Sequence, residues 1–172
     1  VALAVVKPQN TKQITNLIAL CQANNISIIP QGGNTSLCGG ATPLNQLKPD
    51  QLIINLSLMN KILAVDTENN SITVEAGCTL AQVVETAYNH GRYFPLSIAS
   101  EGSAQIGGNI ATNAGGIHVI KYGMIRDMVL GLEVVLSDGS VLNQLNSLHK
   151  NNSYLDLKQL FYPLNLMLQI YE

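Results

Sequence analysis

VALAVVKPQNTKQITNLIALCQANNISIIPQGGNTSLCGG, residues 1–40, reads as a strand, a helix, a second strand and a glycine-rich loop, in that order. Val1 to Val6 is an apolar, β-rich run that Pro8 ends. Asn10 or Thr11 can cap a helix whose apolar positions Ile14, Leu17, Ile18 and Cys21 recur at the helical period. The pair Asn24–Asn25 closes that helix, and Ile26 to Pro30 is a short, continuous apolar strand. Strand, helix and strand at this spacing predict a parallel βαβ unit. The second strand feeds straight into QGGNTSLCGG (31–40), at the strand end where open α/β sheets bind their ligands.

Downstream the texture changes. A linker-like stretch with Pro43 and Pro49 runs from Ala41 to Asp50, and a strand follows at Leu52 to Leu56. Ile62 to Asp66 pairs naturally with Ile72 to Ala76 across the polar turn TENN, and Gly77 ends the hairpin. Thr79 and Gln82 form a capping-box pattern for a helix carrying Leu80, Val83, Val84 and Ala87, stopped by Gly91. Met128 to Leu136 and Ser140 to Leu145 flank Ser137-Asp138-Gly139, a hairpin signal, and Ser153 can cap a helix over 154–161. No internal repeat is visible. The expected fold class is α+β: a small parallel βαβ lobe (about 1–57), then a larger lobe of mainly antiparallel strands with flanking helices (about 58–172), together one domain.

Nine of the fourteen glycines lie in two loops, 31–40 and 102–116 (GSAQIGGNIATNAGG). Glycine lets a ligand approach the backbone, and a run of inward amides makes an anion site without a cation. Neither loop contains Lys or Arg, so a phosphate held there is held mainly by backbone dipoles. Asn34, Thr35 and Ser36 in the first loop, and Ser103, Asn109, Thr112 and Asn113 in the second, add short hydrogen-bonding side chains. These suit the phosphate, ribityl and adenine edges of a dinucleotide. The pattern is neither a GxGxxG opening a helix nor a GxxxxGK[ST], so it supports neither a Rossmann site nor a P-loop.

Composition narrows the partners. Hydrophobic residues are 47% and charged residues 12% of the 172, which describes a folded chain with a sizeable core. The net charge is −2 and the nine Lys and Arg are scattered, which argues against nucleic acid. Three cysteines without CxxC spacing argue against a disulfide framework or a metal site, and point to a reducing cytosol. The chain contains no 18-residue apolar run, so no membrane span is expected.

Three stretches carry a resemblance: PQGGNTSLCGG (30–40), GSAQIGGNIATNAGG (102–116) and KYGMIRDMVLGLEVVLSDGSVL (121–142). Together they resemble the PCMH-type flavin-binding domain of the FAD-linked oxidase family. Within it they are most similar to the D-2-hydroxy-acid dehydrogenases, which oxidise D-2-hydroxyglutarate, D-lactate or glycolate. The likeness runs in register from about Ala4 to Phe161. It implies FAD as cofactor, with Gly32, Gly33, Asn34, Thr35, Ser36 and Leu37 wrapping the diphosphate and Pro30 setting the strand exit. Gly102, Ser103, Ile106, Gly107, Gly108 and Asn109 would line the flavin's other side, and Thr112, Asn113 and Gly116 would continue that wall. Some relatives tether FAD through a His in the first loop; Asn34, Thr35 and Ser36 stand there instead, which implies non-covalent FAD. In the intact enzyme the α-hydrogen would pass as hydride to the flavin while a base takes the hydroxyl proton.

The chain departs from this family at its end. Asn152-Ser153-Tyr154-Leu155-Asp156-Leu157 lacks the glycine of the family's Asn-Thr-Gly-Tyr-Asp-Leu pattern, and YPLNLMLQIYE replaces a glycine-rich segment that leads back into the sheet. The expected chain is therefore C-terminally incomplete and without the substrate-capping domain, which would recognise and deprotonate the 2-hydroxy acid. Two other readings stay open: a non-catalytic nucleotide-binding remnant, and a flavin subunit completed by a partner chain. No residue is assigned a catalytic role. His118 has no acid or base partner in the sequence, His90 sits at a helix end, His149 lies in a polar stretch, and Cys38 has no cationic neighbour. Lys121, Arg126 and Asp127 read as a surface network or as facing a missing domain.

Overall fold

A computed structural model of the chain describes residues 2–44, 50–146, 165–169 and 171. The helix expected over 154–161 and His149 lie outside these residues.

The first lobe is a three-stranded parallel sheet of β1 (Ala4–Val6), β2 (Ser27–Gln31) and β3 (Gln51–Asn55). Its order is β1-β3-β2, so the expected βαβ unit is split: β3 separates the two strands that helix α1 (Thr11–Ala23) connects. The burial pattern explains this. Gln51 to Ile54 of β3 are buried, as a central parallel strand covered on both faces requires, whereas β1 and β2 are partly exposed edges. Asn10 caps α1 by accepting from the Gln13 amide, and Asn24 and Asn25 (φ +54°) end it. Ile14, Ile18 and Cys21 turn inward. Cys21 packs with Leu52 and Ile54, while Ile14 and Ile18 pack with Met59 and Val135.

The second lobe is an antiparallel sheet in the order β4-β5-β8-β6-β7, built from β4 (Ile62–Asp66), β5 (Ser71–Glu75), β6 (Val129–Val135), β7 (Val141–Asn143) and β8 (Asn165–Gln169). The two expected hairpins form, the second turning at Gly139 with φ +83°. The last segment, which lacks the family pattern, nonetheless supplies the central strand β8, paired with both β5 and β6. Helix α2 (Leu80–Asn89) has the capping box read from Thr79 and Gln82, and buries Leu80, Val83 and Ala87 in the main core with Phe94, Ile106 and Leu132. Two short helices, α3 (Ile106–Ala111) and α4 (Val119–Tyr122), complete the lobe.

Helix α1 joins the lobes. The Thr11 hydroxyl donates to Glu133 on β6 at 2.9 Å, and the Gln22 amide donates to the Ser137 carbonyl at 2.5 Å.

Candidate functional site

The two glycine-rich loops meet. A cavity of about 580 Å³ opens between them, within the range of nucleotide-sized ligand sites. The end of β2 and the residues that follow it, Pro30 to Ala41, supply one wall, and α3 with the residues just after it supplies the other.

Polar residues at the strand ends fix the first loop. Asn55 at the end of β3 donates to Gln31 Oε1 (3.0 Å) and to the Gly32 carbonyl (3.3 Å), while Gln31 Nε2 donates to the Ala41 carbonyl (3.0 Å). The chain then turns at Asn34, whose φ of +52° lies in the left-handed region that Asn tolerates. Among the described residues, none accepts from the amides of Gly32, Gly33, Asn34, Thr35 or Ser36. These donors border a cavity that, among the described residues, no charged side chain lines, so the loop offers an anion partial positive charge from its peptide dipoles.

The second loop is not wholly a loop. Its centre, Ile106 to Ala111, is helix α3, with Gln105 preceding it and Thr112 closing it. The Ile106 and Gly107 amides donate to the carbonyls of Cys78 and Ala76, both at 2.9 Å, pinning the helix against the end of β5. Arg126 holds the other end: its guanidinium donates to the carbonyls of Ile110 (3.2 Å) and Ala111 (3.4 Å), and its amide to Asn113 Oδ1 (3.4 Å). A cation at the carboxyl end of a helix is where the backbone dipole favours one. Arg126→Met is expected to cost about 1.5 kcal/mol of stability. Urea unfolding checks this, with the midpoint falling and the slope unchanged.

Of the residues named from the sequence, Pro30, Gly32, Gly33, Asn34, Thr35, Ser36, Gly107, Gly108, Asn109 and Thr112 line this one cavity. The others do not. Leu37 is fully exposed, Ile106 is fully buried in the core, and Gly102 stands in open space. Ser103 presents its carbonyl to Gly33, Gly116 packs against the Ser97 carbonyl, and Asn113 turns the chain (φ +49°) and accepts from Arg126.

Sequence reading missed Gln105. It is 7% exposed, its Oε1 has no partner among the described residues, and it lies 3.4 Å from where a Cβ on Gly32 would sit. Asn109, four residues on and 6% exposed, likewise has an unpartnered Nδ2. A buried acceptor and a buried donor without partners cost free energy unless a ligand satisfies them. Gln31, Asn55, Leu56, Ala76 and Ile98 were also missed. The only available signal was a polar residue ending each of two apolar strands.

His118 does not line the cavity; its ring packs edge-on against Tyr93 and Tyr122. The His90 ring lies 2.8 Å from the Thr86 carbonyl at the end of α2. Lys121 lies over the Tyr122 ring at 4.8 Å, and Asp127 accepts from the Met124 amide. Among the described residues, no group of His, Cys, Asp and Glu could hold a metal ion, and no helix is long and apolar enough to cross a membrane.

Residues 2–144 match the FAD binding domain family. Over 157 residues the chain is 43% identical to the mitochondrial D-2-hydroxyglutarate dehydrogenase of Bos taurus, which covers 91% of this chain and 28% of that protein. The mitochondrial D-2-hydroxyglutarate dehydrogenase of Arabidopsis thaliana is 42% identical over 154 residues, 90% of this chain and 27% of the relative. The chain thus spans less than a third of these relatives. In structure it superposes on an alkyldihydroxyacetonephosphate synthase with a TM-score of 0.84 at 22% identity, covering 97% of this chain and 31% of that one, a likeness of fold. These relatives correct the cytosolic expectation, because they are mitochondrial proteins. Unpaired cysteines report a reducing milieu and carry no address. With its two glycine-rich loops converging on a cavity and most of its length matched, the chain belongs to the FAD-binding domain family, among relatives that are dehydrogenases.

Proposed function

We propose that this chain is the FAD-holding part of an oxidoreductase that acts on a D-2-hydroxy acid, with D-2-hydroxyglutarate as the leading substrate and D-lactate and glycolate as alternatives. The two lobes act as one cofactor domain. The observation that carries the cofactor reading is the pair of unpartnered buried atoms, Gln105 Oε1 and Asn109 Nδ2, beside five open amides of the first loop. When bound, FAD supplies the two-electron acceptor that oxidises a hydroxy acid to a keto acid.

The chain's own residues bind and orient. The amides of Gly32 to Ser36 hold the diphosphate, Gln105 accepts a hydrogen bond and Asn109 donates one. Leu56, Ala76, Ile98, Ala111 and Ala114 give the cavity an apolar wall that excludes water. Among the described residues no charged side chain lines the cavity, so its grip on a ligand comes from peptide dipoles and neutral side chains. Asn34, Thr35 and Ser36 stand in the first loop in place of a tethering histidine, which supports non-covalent FAD.

Titration with FAD, followed by flavin fluorescence, tests the reading. Saturable binding is expected, and acid precipitation should leave all of the yellow cofactor in the supernatant. Absence of binding at high FAD would sink the proposal. A sharper outcome is expected from Gln105→Met and Asn109→Leu. Each removes a polar atom that is unpartnered in the free chain, so thermal stability without FAD should hold or rise. FAD affinity should nonetheless fall by about 1–3 kcal/mol, on the order of ten- to a hundredfold in Kd. A purely structural role predicts the opposite pairing of effects.

A flavin subunit completed by another chain is a second reading, favoured by the large exposure of Ile117 (80%) and by fully exposed Ile120, neighbours in sequence beyond the second loop. Turnover of D-2-hydroxyglutarate that appears only on adding a second polypeptide would select it.

A further inference from the structure

We propose that Arg126 is a positioning residue of the cradle: it holds the carbonyl end of α3 and so fixes Asn109 for a bound dinucleotide, in a cavity that Arg126 itself does not line. The identity of the dinucleotide rests on the FAD reading above; the hydrogen-bond route does not.

Helix α3 has only six residues, too few to persist without outside support. Its two ends are supported differently. At the amino end the partners are backbone alone, the Ile106 and Gly107 amides on the carbonyls of Cys78 and Ala76. A Cβ on Gly107 would stand 2.8 Å from the Ala76 Cβ, so this end fits closely against its neighbour. At the carboxyl end the carbonyls need donors from elsewhere. Thr112 serves the Gly108 carbonyl with its hydroxyl (2.9 Å) and its amide (3.1 Å), and the Ala114 amide serves that of Asn109 (2.8 Å). The Ala111 carbonyl has Arg126 Nη2 as its sole partner among the described residues.

The guanidinium is shaped for this task. Nε and Nη2 lie along one edge of the planar group and reach two successive carbonyls, those of Ile110 and Ala111. The backbone beneath adds two more bonds, from the Arg126 amide to Asn113 Oδ1 and from the Ile125 amide to the Ala114 carbonyl at 3.0 Å. That backbone is itself anchored. The Ile125 side chain is fully buried in the core, and Asp127 accepts from the Met124 amide at 2.7 Å.

The residues held in this way belong to the cavity wall. Ala111 and Ala114 line the cavity together with Asn109 and Thr112. Asn109 sits between the fixed amino end and the held carboxyl end, and its buried Nδ2 can meet a ligand only while that short turn keeps its place. Without Arg126 the Ala111 carbonyl loses its donor at the edge of the cavity, and the last turn is free to shift.

The test uses the full chain. FAD titrations compare wild type, Arg126→Met, Arg126→Lys, Asn109→Leu and the Arg126→Met/Asn109→Leu double variant, at a temperature where circular dichroism shows each of them folded. Arg126→Met should bind FAD roughly tenfold more weakly, as loss of a charge-assisted hydrogen bond implies. Arg126→Lys keeps the charge and can serve one carbonyl, so it should bind about threefold better than Arg126→Met. In the Asn109→Leu background Arg126→Met should cost less than about threefold, because the group that it positions is gone. Without FAD, amide exchange in Arg126→Met should quicken at residues 112–114 and stay unchanged at Ile106 and Gly107. A role in stability alone would lower the melting temperature and leave the FAD affinity of the folded chain intact, and that result would overturn the proposal. So would equal losses in the two backgrounds, Arg126→Lys binding no better than Arg126→Met, or unchanged exchange at residues 112–114. Each of these leaves the cofactor reading standing, whereas failure of the wild-type chain to bind FAD would overturn both.

Discussion

Gly33→Ala is expected to abolish cofactor loading while leaving the antiparallel lobe folded. A Cβ at Gly33 would land on the Ser103 carbonyl oxygen, 2.7 Å from its carbon and 3.3 Å from Ala104 Cα. All three are backbone atoms, and the turn that holds them is fixed. The amides of Ser103 and Ala104 donate to the Ser100 carbonyl at 3.0 and 2.8 Å, and the Ala104 carbonyl accepts from Leu80 at the start of α2. The first loop must therefore move, which displaces the open amides of Gly33 to Ser36 away from the second. FAD affinity should drop by at least a hundredfold, with an overpacking cost of about 1–3 kcal/mol in stability. Gly32→Ala is the informative contrast: its nearest neighbours are Gln105 Cβ and Oε1 at 3.4 Å, side-chain atoms that can yield. Neither glycine has a positive φ, so the difference is steric and not one of backbone preference. Parallel FAD titrations and thermal melts check this, and wild-type affinity in Gly33→Ala would show that the two loops need not touch.

That contact explains what was legible in the sequence. Local patterns were readable wherever neighbours in the chain decide the outcome. The Asn10 cap, the Thr79–Gln82 box and the turn at Gly139 each depend on residues a few positions apart, and each forms. The glycine clusters likewise announced a cradle because their function is a local backbone property. What stayed hidden depends on distant parts of the chain. β3 enters between β1 and β2 because its buried run needs cover on both faces, which no helix spacing reveals. Gln105 looks like any loop glutamine until Gly32, more than seventy residues earlier, is packed beside it. Ile106 sits among the supposed loop residues, yet it is an apolar side chain that the core claims. Arg126 was readable as a surface charge, and only the fold shows it closing the end of α3.

Deleting residues 165–172 is expected to leave a chain that does not fold, the largest effect foreseen. β8 is the middle strand of five, in register with β5 from Ser71↔Gln169 to Glu75↔Asn165 and with β6 from Val129↔Leu168 to Glu133↔Asn165. Its removal strands two separate hairpins, β4-β5 and β6-β7, and a two-stranded ribbon is marginal by itself in water. It also removes Leu168, which is fully buried in the core with Ile72, Val74, Val129 and Leu132. The Tyr171 bridge to Tyr93, closed by amide–carbonyl bonds of 2.7 and 2.5 Å, goes with it. Leu168→Ala grades the effect, since truncating a buried leucine costs about 2–5 kcal/mol. A domain of this size has only about 5–15 kcal/mol in total, so that substitution alone should lower the melting temperature sharply, and the deletion should exceed what the rest of the fold can supply. Circular dichroism melts and amide hydrogen exchange decide the matter. A deletion variant that kept a cooperative transition near the wild-type temperature would mean that β5 and β6 can pair directly, and that the sheet was closed without its last strand.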